Sequence, residues 1–227
     1  MKGKYSNFLT VLIIIVIIAV IGLLVFVGVN YYKNYYLNKE AREAVDAFTG
    51  DLANIEKANT VTGSDIEGEI IDPYANITDV NMMSGSTTNT KTLPQYKGFD
   101  VVGTIEIPQI DLKYPILSKV TTKSLNTSVA KIYGGSLNNT GNVVIAGHNY
   151  RNGTFFSNLY KLSEGDRIYI TDWEGKRVEY TIYKKYEADP DDSTYYYRDV
   201  EGRKEISLTT CTDDSSKRTI VWAKEAI

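Results

Sequence analysis

Between Lys4 and Lys33 the chain carries no charged side chain, and from Phe8 to Val29 only Thr10, Gly22 and Gly28 interrupt a strongly apolar run. At about 1.5 Å per residue that run makes a helix of roughly 33 Å, against a bilayer hydrocarbon core of roughly 30 Å. A helix apolar all round has no face to give to water, so the run predicts a membrane span. A cleaved signal peptide is the competing assignment. Its apolar core would extend over only about 7 to 15 residues and end in a small-residue site, whereas this run continues into Asn30 and Tyr31. The expectation is an uncleaved signal anchor at 8–29 behind a short tail at 1–7. Lys2 and Lys4 on one side face Lys33, Lys39 and Arg42 on the other, so the positive-inside rule gives little bias. The shortness of the tail favours a cytoplasmic N-terminus and an exported remainder, with Tyr31, Tyr32, Tyr35 and Tyr36 as an interfacial aromatic belt.

The 227 residues leave room for one domain of ordinary size beside the anchor. A formal charge of -3 without any basic block excludes a sequence-independent grip on nucleic-acid phosphates. A single Cys and a single His exclude an intramolecular disulfide and leave a Cys/His zinc site short of ligands. The acidic residues are scattered and form no compact calcium loop, so no metal is expected, and no organic cofactor is implied.

Leu37, Ala41, Val45, Phe48, Leu52 and Ile55 recur at steps of three and four, placing them on one stripe of a helix from about Lys33 to Ala58. A stalk packed on the domain fits better than a dimerising coiled coil, because the imperfect heptads are few. From Asn59 to Gly98 the composition turns to Gly, Ser, Thr, Asn and Asp, which reads as linker. Beyond it, β-branched and Tyr-rich runs predict strands at 102–107, 113–117, 142–146, 167–171, 177–187, 204–209 and 217–224. Ser124 to Tyr133 and Thr154 to Leu162 are brief helical candidates. So many short strands in one stretch predict an all-β domain, closed or sandwiched, with short helices.

Cys211 ends one predicted strand, His148 follows another, and Arg218 opens the last. Side chains at strand ends are presented rather than buried, and these three types suit acyl transfer. A thiolate attacks, an imidazole moves protons near neutral pH, and a guanidinium stabilises a developing oxyanion. Spacing alone does not bring Cys211 and His148 together, and a lone Cys or His is most often an ordinary packed residue.

The run Leu208, Thr209, Thr210, Cys211, with Arg218 opening a β-branched strand, resembles the signature of the sortases, cysteine transpeptidases of Gram-positive surfaces. Gly141 to His148 resembles the strand that delivers their histidine, and Phe156, Leu159 and the turn at Glu164, Gly165 and Asp166 continue the likeness. Gly103 to Pro108 and Tyr114 to Ile116 look like the first barrel strands, so the resemblance covers about Val101 to Ile227. It implies a closed sortase-type barrel of seven to eight strands at 99–227, preceded by one transmembrane helix and a helical stalk at 30–58. It further implies that Cys211 forms a thioester with an LPxTG-like sorting signal, and that His148 protonates the leaving amine and deprotonates the incoming one. Arg218 would bind substrate backbone carbonyls or the oxyanion, with the backbone of Thr210 to Thr212 as a second donor. The implied partners are surface proteins or pilins bearing the signal, and a peptidoglycan precursor or pilin lysine as acceptor.

Subclass stays open among class B-like, D-like and pilin class C-like. Asp72, Pro73 and Tyr74 in the linker resemble the class C lid, though Asp-Pro also simply starts turns. No apolar span follows the last strand, which departs from class C. Two other readings compete. Ser128 and Lys131 have the spacing of a serine hydrolase pair, and Tyr195, Tyr196 and Tyr197 would suit a membrane-tethered module that binds a surface partner without catalysis.

Overall fold

The computed structural model describes residues 2–59 and 93–226. A single helix, α1 (Lys2–Asn59), precedes nine strands: β1 (Gln95–Tyr96), β2 (Phe99–Ile107), β3 (Leu112–Leu117), β4 (Val129–Tyr133), β5 (Gly141–Ala146), β6 (Arg167–Asp172), β7 (Arg177–Ala188), β8 (Lys204–Cys211) and β9 (Arg218–Glu225). The short helix α2 (Thr122–Leu125) links β3 to β4, and 3-10 turns occupy 108–110, 159–161 and 194–196. The strands run β1-β2-β3-β4-β5-β8-β9-β7-β6, and β6 pairs back onto β2. That pairing closes β2 to β9 into an eight-stranded barrel with β1 as an outer addition, as the resemblance implied. Closure leaves no long unpaired edge.

Alternation within the strands explains the closure. In β8, Ile206 and Leu208 point inward to meet Val143, Ile145, Val221 and Ala223, while Ser207 and Thr209 point outward. Ile105, Ile116, Phe156, Ile168, Ile170 and Tyr180 complete an interior that water does not reach. Each such side chain contributes about 1.5–3 kcal/mol of burial. Two pairings are parallel, β3 with β4 and β5 with β8. The second joins segments distant in sequence, since the β6–β7 hairpin lies between them in the chain.

The strands at 102–107, 113–117, 142–146, 167–171, 177–187, 204–209 and 217–224 all appear, most with slightly longer bounds. Three local expectations need correction. Gln95 and Tyr96 form a strand and not linker, because they pair with Asp100 and Phe99 at the outer edge of the sheet. The helix expected over Ser124 to Tyr133 is confined to α2, which Thr121 caps through its reciprocal bonds with Ser124. Beyond it, the Ser128 hydroxyl donates to the Pro115 carbonyl at 2.6 Å, and the β-branched Val129 and Ile132 join the sheet. Of Thr154 to Leu162, only Leu159–Lys161 is helical, as a 3-10 turn. Residues 72–74 lie outside the described residues.

The helix α1 is long and apolar enough to cross a membrane by length and composition, and Phe8 to Val29 are covered by none of the other described residues. From Asn34 onward its stripe docks on the barrel, with Ala41 and Val45 fully covered and Leu37, Phe48 and Leu52 half-buried. The stripe at steps of three and four is therefore used within the chain, as a packed stalk.

Candidate active site

Strand register brings the three singled-out side chains into one row. The parallel β5–β8 ladder sets each β5 residue beside one 63 positions later, ending with Ala146 beside Thr209. Past that point the Gly147 amide still donates to the Thr209 carbonyl at 3.2 Å, and the Thr210 hydroxyl donates to the Gly147 carbonyl at 2.7 Å. Carried two residues further, the same register would set His148 beside Cys211. On the other side of β8, the antiparallel ladder pairs Cys211 with Arg218. Adjacent strands stand about 4.8 Å apart, and neighbours across a ladder project to the same face. His148, Cys211 and Arg218 accordingly line one outward-facing groove of about 550 Å³. All three are half-buried.

Gly147 permits this approach. A Cβ there would lie 2.9 Å from both the Phe156 ring and Val129, so the strand passes close against the core only without a side chain at this position. Asn149 ties the two reactive strand ends together, its side-chain amide donating to the Cys211 carbonyl at 3.0 Å and to the Asp213 carboxylate at 2.9 Å. Nothing in the sequence marks Asn149 beyond its place after His148, because its partner comes from a parallel neighbour. The turn between Cys211 and Arg218 is organised by Asp214. Its carboxylate accepts from the Thr212 hydroxyl, the Ser216 amide and the Ser216 hydroxyl, and these bonds hold its pKa down to about 2.

That turn changes the expected part of Thr212. Its amide donates to the Lys217 carbonyl at 3.0 Å and its hydroxyl to Asp214, so Thr212 is committed to the turn and not offered as an oxyanion donor. The Thr210 hydroxyl donates to the Gly147 carbonyl and so braces the strand rather than the groove. Among the described residues, the His148 imidazole and the Cys211 thiol make no hydrogen bond, and the Arg218 guanidinium donates only to the neighbouring Lys217 carbonyl, at 3.2 Å. Partial burial lowers the His148 pKa, with the Tyr150 ring 4.9 Å away providing part of the cover. The imidazole is thus mainly neutral at pH 7.

The far wall of the groove is the connection from β7 to β8. Pro190 to Ser193 line it with Tyr195 and Tyr196, and the Asp192 carboxylate caps the turn at 194–196 by accepting from the Thr194 amide and hydroxyl. Arg198 pins this segment to the barrel. It pairs with the fully buried Glu205, donates to Asn142 at 3.0 Å and to Ser207 at 3.3 Å, and lies 4.6 Å from the Trp222 ring. Asn142 in turn donates to the carbonyls of Tyr195 and Tyr196. Burial pushes the Glu205 pKa up, but the bonds from Tyr183 and Arg198 outweigh it and hold the carboxyl below its ordinary value.

Both competing readings lose their basis. Ser128 is fully buried, and Lys131 donates to the carbonyls of Gly134 and Gly135, so the two do not form a reactive pair. Of the three consecutive tyrosines only Tyr197 is exposed, since Tyr195 is buried and Tyr196 partly covered. No group of three or more candidate metal ligands occurs among the described residues.

Comparison with known proteins agrees with this geometry. The sortase domain family matches residues 105–226. Sortase A of Bacillus anthracis is 30% identical over 200 residues, which cover 87% of this chain and 86% of the relative. Among solved structures, a lid mutant of sortase A from Corynebacterium diphtheriae superposes with a TM-score of 0.53 at 31% identity, covering 59% of this chain and 74% of that one. A sortase D5 transpeptidase from Clostridium perfringens superposes with a TM-score of 0.52 at 28% identity, covering 56% and 80%.

Proposed function

The chain belongs to the sortase family of cysteine transpeptidases, and from that membership we propose that Cys211 is its nucleophile, His148 its proton carrier and Arg218 its oxyanion donor. The observation that carries this reading is the row itself: the only cysteine and the only histidine share one groove with an arginine whose charge has no acidic partner among the described residues. An extended peptide carrying an LPxTG-like signal enters the groove, and the Cys211 thiolate attacks the carbonyl carbon of the Thr-Gly-type bond. The tetrahedral oxyanion collapses to a thioester as the C–N bond breaks, and the leaving amine takes the proton of His148. An incoming amine then attacks the thioester, gives a proton to the now neutral His148, and leaves as the new amide while the thiolate departs. With Thr212 committed to its turn, the Arg218 guanidinium serves as the donor for the developing charge.

The first step uses the thiolate–imidazolium pair. The lowered pKa of His148 makes its imidazolium partner scarcer at neutral pH. The same neutrality favours the second step, where His148 accepts a proton.

We further propose that α1 anchors the enzyme as a single-pass protein, N-terminus inside and barrel outside, and that residues 72–74 act as a lid. The acceptor is the amine of a peptidoglycan precursor, with a pilin lysine as the alternative. Cleavage of quenched fluorescent peptides bearing LPxTG-like and NPxTN-like motifs by the full chain tests the reading. Turnover that disappears in Cys211→Ala and rises on deletion of 72–74 supports it. A parent and a deletion variant that both cleave nothing, with a Cys211 inert to thiol probes, would end it.

A further inference from the structure

The contacts of α1 with the barrel form a ruler that starts at the membrane. The docked face begins at Asn34, about 7.5 Å of helix beyond the end of the apolar run at Val29, a distance comparable to the thickness of a headgroup layer. Asn34 accepts from the side-chain amide of Asn152 at 3.1 Å. A turn later Asn38 is hydrogen-bonded to the Tyr114 hydroxyl, which accepts from the Phe155 amide at 3.2 Å. Further along, Glu40 pairs with Lys97, Arg42 with Asp111 and Asp46 with Lys113. Near the end of the helix, Leu52 lies 3.8 Å from where a Cβ on Gly175 would sit, in the β6–β7 turn. Asn34 and Leu52 are about 27 Å apart along the helix.

The end of the ruler nearest the membrane is the end that holds the chemistry. Asn152 belongs to the loop that follows His148. That loop reaches Cys211 through Asn149, and the turn beside it through Arg151, whose guanidinium donates to the Ser215 hydroxyl at 3.2 Å. We infer that α1 docks the barrel mouth-down, so that His148, Cys211 and Arg218 work at the headgroup layer of the bilayer from which α1 emerges. The inference rests on the membrane-anchor reading proposed above. Charge does not set this orientation, since the mouth carries Arg151 and Lys217 together with Asp213 and Asp214. The tether is the helix interface, so the orientation is insensitive to salt.

The test places a single fluorophore on the full chain in nanodiscs whose lipids carry a headgroup quencher. All chains are Cys211→Ala, so each added cysteine is unique, and each is first shown to melt cooperatively. Labels at Arg151→Cys or, on the other side of the mouth, Lys217→Cys are expected to quench at least threefold more than a label at Glu174→Cys, at low and high salt alike. A Gly/Ser insertion of about ten residues after Tyr31 should erase that contrast. Equal or reversed quenching, with a label at Val16→Cys quenched by acyl-chain nitroxides, overturns the mouth-down arrangement while the anchor stands. A Val16→Cys label that acyl-chain nitroxides leave unquenched overturns the anchor and the inference together.

Discussion

The outer face of β5, β8 and β9 carries two polar clusters, four to six residues apart along β5 and β8, with opposite construction. Around Asn142, Glu205 and Ser207 the side chains are bonded to one another, although the buried Arg198 Nε and the Trp222 indole N–H have no partner among the described residues. Arg198 alone reaches Glu205, Tyr183, Asn142 and Ser207. Toward the strand ends, His148 and Cys211 have no side-chain hydrogen bond among the described residues, and Arg218 touches only a neighbouring carbonyl. The first cluster is closed by the β7–β8 segment, while the second faces the groove. A buried network left half-satisfied is costly, so the closed cluster fixes the segment that walls the groove. The open one keeps its donors and acceptors for a peptide. Rigidity and reactivity are thus divided between two stretches of one sheet face.

The division predicts four graded outcomes. Largest is the open row: Cys211→Ala abolishes thioester formation, and His148→Ala and Arg218→Ala each lower kcat/KM by about 10²–10⁴ without changing the melting temperature appreciably. Steady-state peptide cleavage beside thermal melts reads both numbers. Equal loss of activity and stability in these variants would dissolve the distinction between the rows.

Next is the closed row. Glu205→Gln leaves Arg198 buried without its counter-charge and costs about 3–5 kcal/mol of stability, read by denaturant unfolding. The pH dependence has a definite sign. Because Glu205 ionises more easily folded than unfolded, its contribution is fully present above its ordinary value of 4.5 and is lost as pH falls through the depressed folded value. The parent should therefore lose stability on acidification below that point by more than Glu205→Gln does.

Asn149 sits between the rows in character, being bonded but adjacent to the thiol. Asn149→Ala should lower kcat about tenfold with KM little changed, since it releases the Cys211 carbonyl from the His148 loop without touching the groove wall. The smallest effect is at Tyr150. Removing its ring in Tyr150→Ala readmits water to the imidazole and raises the His148 pKa toward its ordinary value, moving the acid limb of the kcat/KM profile upward by less than about one pH unit. A downward shift would mean that the ring does not desolvate His148.

The legibility of the two clusters in the sequence differed for a physical reason. Cys211, His148 and Arg218 stand out because their types are rare or reactive and sit where β-branched runs stop, so local pattern is enough to nominate them. Asn142, Glu205 and Arg198 are ordinary polar residues whose meaning arises only when β5 lies parallel to β8, a pairing no local pattern encodes. The same limit explains Val129 to Tyr133. Its amphipathic spacing reads as helix, but Ser128 is bonded to Pro115 and the segment is drawn into the sheet between β3 and β5. Gln95 and Tyr96 look like linker because two residues cannot show a period, and only pairing with β2 makes them strand. The bonds that commit Thr212 to its turn were not legible, since they depend on Asp214 and Lys217 folding back onto it.

The most direct test of the row is to catch the covalent intermediate. The full-length enzyme is mixed with a sorting-signal peptide, quenched in acid within one turnover, and mapped by peptide mass spectrometry. The account predicts an acyl adduct confined to the fragment containing Cys211, labile to hydroxylamine, absent in Cys211→Ala and accumulating far more slowly in His148→Ala. Cleavage of the peptide by Cys211→Ala at the parent's rate, or an adduct on any other residue, would contradict it.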